Sequence, residues 1–184
     1  MSTPLEQFKT KLSEFASGQR RGIRNPFVIV PVAPDLEWAV VDALVAWAPS
    51  VPTTKVYLDR IMPKTDVFAT VAGLSPAPSK KSIETTFQRN LAREMVELII
   101  KNHEAGCQTE EHILLLLQLG SLYPFTRASA LLDEMDRRRV RATVGIPFPG
   151  SILSGKLSFF DEQAQHYYPA HRIDTQIQAA HLQG

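Results

Sequence analysis

The spacing of apolar residues at the start of the chain predicts an amphipathic helix within residues 1–18. Thr3 can cap this helix, Pro4 suits its first position, and Gly18 can end it in the left-handed conformation. Its apolar face comprises Leu5, Phe8, Leu12 and Phe15. Because an apolar face must be covered, we expect the helix to pack on the domain's own core, with a partner protein as the alternative.

A strand, a helix and a second strand are predicted next. Residues 27–32 are apolar on both faces, as in an interior parallel strand, and Pro31 lies near the strand's end, where a missing N–H is tolerable. Asp35 is expected to cap a helix that runs to Trp47, and residues 55–58 form the second strand. The expected buried face of this helix comprises Trp38, Val41, Leu44, Val45 and Ala48. Strand, helix and strand in this order predict a right-handed βαβ unit.

The remainder of the chain continues the alternation. A long helix is predicted over residues 82–103, and the most apolar stretch, residues 112–119, is predicted to be the central strand. A further helix over residues 126–137 precedes a strand over residues 140–148, and residues 156–160 form a last short strand.

Weaker signals predict a helical turn over residues 66–72 and a frayed, weakly helical tail over residues 174–184. Alternating strands and helices imply a three-layer α/β sandwich with a mostly parallel, Rossmann-like central sheet. No internal repeat or long linker divides the sequence, so a single domain over residues 1–184 is predicted.

Composition narrows the function classes. The chain has 184 residues, 44% apolar and 21% charged, as in globular proteins. Its 20 basic and 19 acidic side chains give a net charge of +1, so direct nucleic-acid binding is not expected. The single cysteine, Cys107, excludes an internal disulfide and fits a reducing compartment. The longest apolar run is too short for a membrane span and a signal peptide is not evident, so the cytoplasm is the expected location.

Residues 150–156 keep nucleotide binding open as an alternative. Gly150, Gly155 and Lys156 have the spacing G-x-x-x-x-G-K of a phosphate-binding loop, whose backbone N–H groups wrap the phosphates. However, Leu157 stands where a hydroxyl should hold magnesium, and the segment after Lys156 resembles a strand rather than the required helix.

Two arginine clusters keep nucleic-acid binding open as a second alternative. Arg20, Arg21 and Arg24 lie in a predicted loop. Residues 137–139 and Arg141 follow acidic residues at the end of a predicted helix, where ion pairs one turn apart are the ordinary role of arginines.

No catalytic or metal-binding set is recognisable in the sequence. The G-x-S-x-G segment of serine hydrolases does not occur. Of five histidines, only His166 and His171 are close together, and their spacing matches no familiar zinc pattern. We therefore expect a protein without enzymatic activity, cofactor or bound metal.

Aromatic and arginine side chains gather in predicted loops that follow strands, at residues 122–125 and 166–169. In open α/β sheets such loops build the binding crevice, and tyrosine and arginine commonly anchor protein interfaces. The candidate partner surface comprises Tyr123, Phe125, Arg127, Tyr168 and Arg172. The alternative role of these side chains is to brace the edge of the sheet.

These same segments resemble the BrxB family of BREX bacteriophage-defence systems. Residues 120–127 look like the family's segment that leads from an apolar strand into a helix. Residues 148–150, Phe-Pro-Gly, look like its strand-ending Pro-Gly, and residues 167–173 are similar to its closing element. Residues 26–44 are compatible with the family's opening unit.

The resemblance implies a small BREX component without known catalytic activity. Such a component would work beside the alkaline-phosphatase-like component PglZ, a large ATPase and a DNA methyltransferase. It implies an adaptor role, with a PglZ-like protein as the first expected partner and other BREX proteins as further ones.

Overall fold

The structure is a computed structural model that describes residues 1–19, 26–72, 80–123, 125–153, 156–159, 163–164 and 170–183. Its α-helices are α1 (Pro4–Ala16), α2 (Glu37–Ala46), α3 (Leu58–Ile61), α4 (Asp66–Ala72), α5 (Lys80–Asn102), α6 (Glu104–Cys107) and α7 (Ala128–Arg137). Its strands are β1 (Phe27–Val32), β2 (Thr53–Tyr57), β3 (Ile113–Leu117), β4 (Thr143–Leu153), β5 (Lys156–Phe159), β6 (Gln163–Ala164) and β7 (His171–Arg172). Short 3₁₀ turns cover Pro34–Leu36, Met62–Lys64, Leu119–Leu122 and Ala179–His181.

Parallel strands in the order β2-β3-β4-β1-β7 form the central sheet. The connection through α2 carries the chain from β1 to the edge strand β2, and β3 and β4 then occupy the space between them. Beyond the parallel region, β4 continues into an antiparallel hairpin with β5, and β5 pairs with β6. The predicted α/β class with a mostly parallel sheet is confirmed.

Helices cover both faces of the sheet because its strands are apolar on both sides. In β1, Val28 and Val30 pack towards α1 and α2, whereas Phe27 and Ile29 pack towards α5 and α7. This alternation follows from the two-residue period of a strand, and the same alternation runs through β3. The predicted three-layer arrangement is therefore confirmed.

The N-terminal helix packs on its own sheet. The Glu6 N–H donates to Thr3 Oγ1 at 3.2 Å, as predicted for the cap, and Gly18 follows the helix with φ 95°. The close approach depends on Gly145 in β4, where a Cβ would lie 2.9 Å from both methyl groups of Leu12 and 3.0 Å from a methyl group of Leu115. The apolar face of α1 is thus covered within the chain.

The predicted buried face of α2 is confirmed for Val41 and Leu44 and is wrong for Trp38, Val45 and Ala48. Trp38 is 65% exposed and Val45 41% exposed, whereas Val40, Val41 and Leu44 are the buried residues. The helix sequence is apolar nearly all round, so the periodic pattern could not tell which side faces the sheet.

Two other predictions at the ends of elements also need correction. Asp35 does not cap α2, because it lies inside a 3₁₀ turn that precedes the helix. The tail after Asp174 does not simply fray: Ile177 is buried, its N–H donates to Pro31 O at 2.8 Å, and its carbonyl accepts from Ala33 at 3.0 Å. Ile177, which pairs with Val32 at the end of β1, therefore anchors this segment to the sheet.

Replacing Gly145 by alanine should lower the free energy of unfolding by about 1–3 kcal/mol, because the new methyl group overfills the contact between α1 and the sheet. Urea denaturation measures this loss as a lower midpoint at an unchanged slope.

The double variant Gly145→Ala with Leu12→Ala tests whether contact with the Leu12 side chain causes this loss of stability. Truncating Leu12 makes room for the new methyl group, so the two losses should sum to more than the loss of the double variant by at least about 0.5 kcal/mol. Strictly additive losses would contradict the packing of α1 against β4.

Candidate functional site

The central sheet opens at the carboxyl ends of its strands. Pairing between β3 and β4 ends at Leu115 with Gly145. By contrast, β2 stays paired with β3 as far as Leu117, and β1 stays paired with β4 as far as Pro149. The two halves of the sheet therefore separate between β3 and β4, in the region where open α/β sheets hold their ligands.

The prolines of β4 explain why pairing with β3 ends there. The Thr143 N–H donates to His112 O at 2.9 Å, so the odd-numbered residues of β4 direct their backbone groups towards β3. In the same register, residue 147 would donate to Leu116 O, but Pro147 has no N–H. Pro149 also faces β3. Because both prolines lack an N–H on that side only, the pairing between β4 and β1 continues.

A half-buried carboxylate joins the loops on the two sides of this opening. Glu37, at the start of α2, accepts a hydrogen bond from the Gly120 N–H at 2.9 Å. Gly120 lies in the 3₁₀ turn after β3, and this turn follows Gln118, whose φ of 65° is uncommon for a residue other than glycine. The bond fixes the loop after β3 against the helix after β1.

The environment of Glu37 makes this carboxylate costly to ionise. Burial raises the pKa of its carboxyl, the hydrogen bond from Gly120 lowers it, and the nearby negative charge of Asp59 raises it, with a net upward shift. Asp59 belongs to α3, which follows β2. Segments after three different strands therefore meet around one carboxyl group.

Three large aromatic side chains are exposed on the segments that the Glu37–Gly120 hydrogen bond connects. Trp38, the residue after Glu37, is 65% exposed, and Tyr123 and Phe125 in the loop after β3 are 38% and 36% exposed. The ring of Phe68 in α4 packs edge-to-face on Phe125, with 6.1 Å between ring centroids. We refer to Trp38, Tyr123 and Phe125 as the carboxyl-edge aromatic surface.

The structure separates the predicted surface residues. Tyr123 and Phe125 lie at the carboxyl edge, and Arg127 immediately precedes α7. Arg172 instead pairs with Ile29 in the middle of β1, on a strand three spacings from β3, or about 14 Å. Its Nε lies 3.6 Å from a carboxylate oxygen of Asp174. Tyr168 lies outside the described residues.

Sequence reasoning missed Trp38 and Glu37. Trp38 was assigned to the core because α2 offers apolar residues on every side. The sequence gives no local signal that separates the two sides, because Val40, which is buried, and Trp38, which is exposed, are both apolar and lie on opposite sides of α2. The clamp formed by Glu37 depends on a contact with a loop 83 residues away, which the sequence pattern does not encode.

The described residues of the segment resembling a phosphate-binding loop, 150–153 and 156, belong to two paired antiparallel strands. Ser151 pairs with Ser158, and Leu153 pairs with Lys156, in antiparallel register. Lys156 therefore begins a strand at the point where a phosphate-binding loop requires the N-terminus of a helix. This geometry does not favour the nucleotide-binding alternative.

The second arginine cluster is engaged in ion pairs within the chain. Arg138 donates to Glu134 at 3.1 Å and to Glu97 at 2.6 Å, which joins the end of α7 to α5. Arg141 donates to Glu110 at 2.8 Å. The helix-end ion pairing predicted for this cluster is confirmed, while the first cluster, residues 20–24, lies outside the described residues.

Two further findings concern the part of the chain that the structure describes. Within it, no group of three or more histidine, cysteine, aspartate or glutamate side chains is placed to hold a metal ion. No helix in the same ranges is long and apolar enough to cross a membrane.

Comparison with protein families identifies the family of the chain. The family model described as BREX protein BrxB matches residues 53–173, which is more than half of the chain and runs from β2 to the end of the parallel sheet. No curated protein and no solved structure matches the chain.

Replacing Glu37 by glutamine should remove a pH-dependent loss of stability. The pKa of the folded carboxyl lies above its ordinary value of 4.5, so between these two pKa values the folded state binds more protons than the unfolded state. The contribution of Glu37 to stability is therefore present below pH 4.5 and is lost as the pH rises through the raised pKa. Glutamine can still accept from Gly120 and should not show this loss.

Urea denaturation of both proteins at about pH 4 and about pH 7 measures the difference. Glu37→Ala is the matched control, because it removes both the charge and the acceptor for Gly120 and should cost about 1–3 kcal/mol. The wild type and the glutamine variant should differ in free energy of unfolding by different amounts at the two pH values. Equal differences would contradict the inferred environment of Glu37.

Proposed function

The chain belongs to the BrxB family of BREX proteins, and on that premise we propose that it is a non-enzymatic adaptor subunit of a BREX phage-defence complex that binds the PglZ-like component. Family membership supports a role among the BREX proteins, so other BREX subunits are further partners. The adaptor role itself is inferred from the carboxyl-edge aromatic surface.

The exposure of Trp38 is the observation that carries the proposal. A tryptophan side chain that is 65% exposed leaves a large apolar area in water, although the apolar core lies directly beneath its helix. Tryptophan, tyrosine and arginine dominate the energetics of protein interfaces. Tyr123 lies at the same edge of the sheet and adds a second side chain of this kind.

The surface is held in place before a partner binds. The Glu37–Gly120 hydrogen bond fixes the loop that carries Tyr123, and the ring of Phe68 supports Phe125. Binding by a fixed surface loses less conformational entropy than binding by a loose loop. The use of a half-buried carboxylate to fix this loop is consistent with a recognition role.

In this proposal, catalysis belongs to other subunits. The carboxyl group with the most perturbed surroundings at the edge, Glu37, is occupied in holding Gly120. The free cysteine, Cys107, is the last residue of α6 and is buried in the core, so in this proposal it serves packing rather than nucleophilic chemistry. A reduced cysteine also agrees with a cytoplasmic location, which we propose for the complex.

Trp38→Ala should weaken binding of the PglZ-like component at least tenfold, because truncating an interface tryptophan typically costs about 2 kcal/mol or more. The measurement is the dissociation constant of the purified pair, after co-expression of the chain with the BREX components has shown which one is recovered stoichiometrically. Because Trp38 is exposed, its truncation should change the free energy of unfolding by no more than about 0.5 kcal/mol.

Lys101→Ala, at an exposed position on the opposite helical layer, is the control and should bind like the wild type. A complex that forms with unchanged affinity in Trp38→Ala would exclude the carboxyl-edge aromatic surface as the interface. Recovery of the chain alone in the presence of every BREX component would refute the adaptor role.

A further inference from the structure

The sheet has two edges of different character. At one edge, β7 pairs with β1 through only two residues, Val28 with His171 and Ile29 with Arg172. At the other edge, β2 pairs with β3 over five residues, from Thr53 to Tyr57. Very short edge strands are one way in which proteins prevent unwanted strand pairing, and β2 does not have this protection.

The register of β2 identifies the backbone groups that face outward. The Ile113 N–H donates to Pro52 O at 2.9 Å, so even-numbered residues of β2 direct their backbone groups towards β3. Thr53, Lys55 and Tyr57 therefore point their N–H groups away from the sheet. Across the ranges that the structure describes, none of these three N–H groups donates a hydrogen bond.

The one charged side chain of β2 keeps its charge beside the strand but does not cover the outward backbone groups. A lysine on an edge strand usually projects into solvent and discourages further pairing. Here, Lys55 Nζ instead donates to Val45 O at the end of α2, at 2.7 Å. The guanidinium of Arg60 likewise stacks on the Tyr57 ring, 4.3 Å from its centroid, so both long side chains next to the strand are drawn back onto the protein.

We propose that β2 is a docking edge to which an extended segment of a partner protein adds as a further strand. The backbone of the segment would pair with the outward groups of Thr53, Lys55 and Tyr57, as in other cases of strand addition. An acidic or polar residue suits the position opposite Lys55, since opposite charges across a strand pair are favourable. The partner is a BREX subunit, so the inference rests on the proposed function.

A second copy of the chain fits this edge poorly. Antiparallel pairing of two β2 strands over all five residues would be centred on Lys55 and would place two lysines directly opposite each other. Like charges in that position destabilise a strand pair. The geometry thus favours a different protein over self-association.

Lys55→Pro is the variant that tests strand addition. Proline removes an outward N–H but no bond to β3, and prolines are tolerated on edge strands in this orientation. It should weaken binding of the BREX partner at least tenfold, while the thermal midpoint remains close to that of Lys55→Ala. Lys55→Ala is the matched control, because it removes the ammonium but keeps the N–H, and it should retain binding within threefold.

Hydrogen exchange of the wild-type chain gives a second, independent measurement. The amides of Lys55 and Tyr57 should exchange at least tenfold more slowly in the complex than in the free chain. This measurement decides the question even if Lys55→Pro fails to fold, because it requires no substitution. Unchanged exchange at both amides in a fully formed complex would overturn the proposal.

The remaining outcomes separate this proposal from the adaptor role. If both Lys55 variants bind like the wild type while Trp38→Ala does not, docking at β2 is refuted and the adaptor role stands. If the wild-type chain forms no complex with any BREX component, both proposals fall. A dimer of the chain alone that Lys55→Pro dissociates would replace the partner segment with a second copy.

Discussion

The arrangement of the carboxyl edge depends on which side of β4 its prolines face. In a parallel strand, successive residues direct their N–H groups to opposite neighbours, so a proline removes a donor from one side only. Pro147 and Pro149 both face β3, and the sheet is split on that side while β1 stays paired. Near its amino end, β4 therefore pairs with both β3 and β1. Beyond Gly145, it pairs with β1 but no longer with β3.

The split creates a need for another connection, which Glu37 supplies through Gly120. The same bond sets the position of the exposed residues, because Trp38 follows Glu37 and Tyr123 follows Gly120 within the same turn. Partial burial of this carboxyl group disfavours its ionised form, as its raised pKa indicates. The chain thus retains a costly polar contact beside exposed aromatic side chains, a combination that core packing alone does not require.

Much of the fold could be predicted from sequence because local signals agreed with the tertiary structure. The apolar runs of β1 and β3 indicated interior strands, and Thr3 and Gly18 marked the limits of the first helix. Other features depend on contacts between distant segments. The side of α2 that faces the sheet could not be chosen from a helix with apolar residues all round, and the Glu37–Gly120 bond has no local signature.

The candidate surface could be predicted only in part, because some of its residues are placed by local signals and others by contacts between distant segments. Tyr123 and Phe125 follow a recognisable apolar strand, so their position at the carboxyl edge could be deduced from the sequence. Arg172 could not be placed, because β7 is a two-residue strand beyond β1 whose position depends on tertiary pairing. The family match covers β2 to β7, so Trp38 lies outside the matched region and was identified from its exposure alone.

The proposed contact of the carboxyl-edge aromatic surface with another BREX protein can be tested in cells. The most direct measurement is photo-crosslinking from a benzophenone side chain placed at position 38, in cells that contain the complete set of BREX proteins, with the same group at position 101 as the reference. The account predicts a crosslink from position 38 to one BREX component, above all the PglZ-like one, and none from position 101. Equal crosslinking from the two positions, or none from position 38 while the complex is intact, would contradict it.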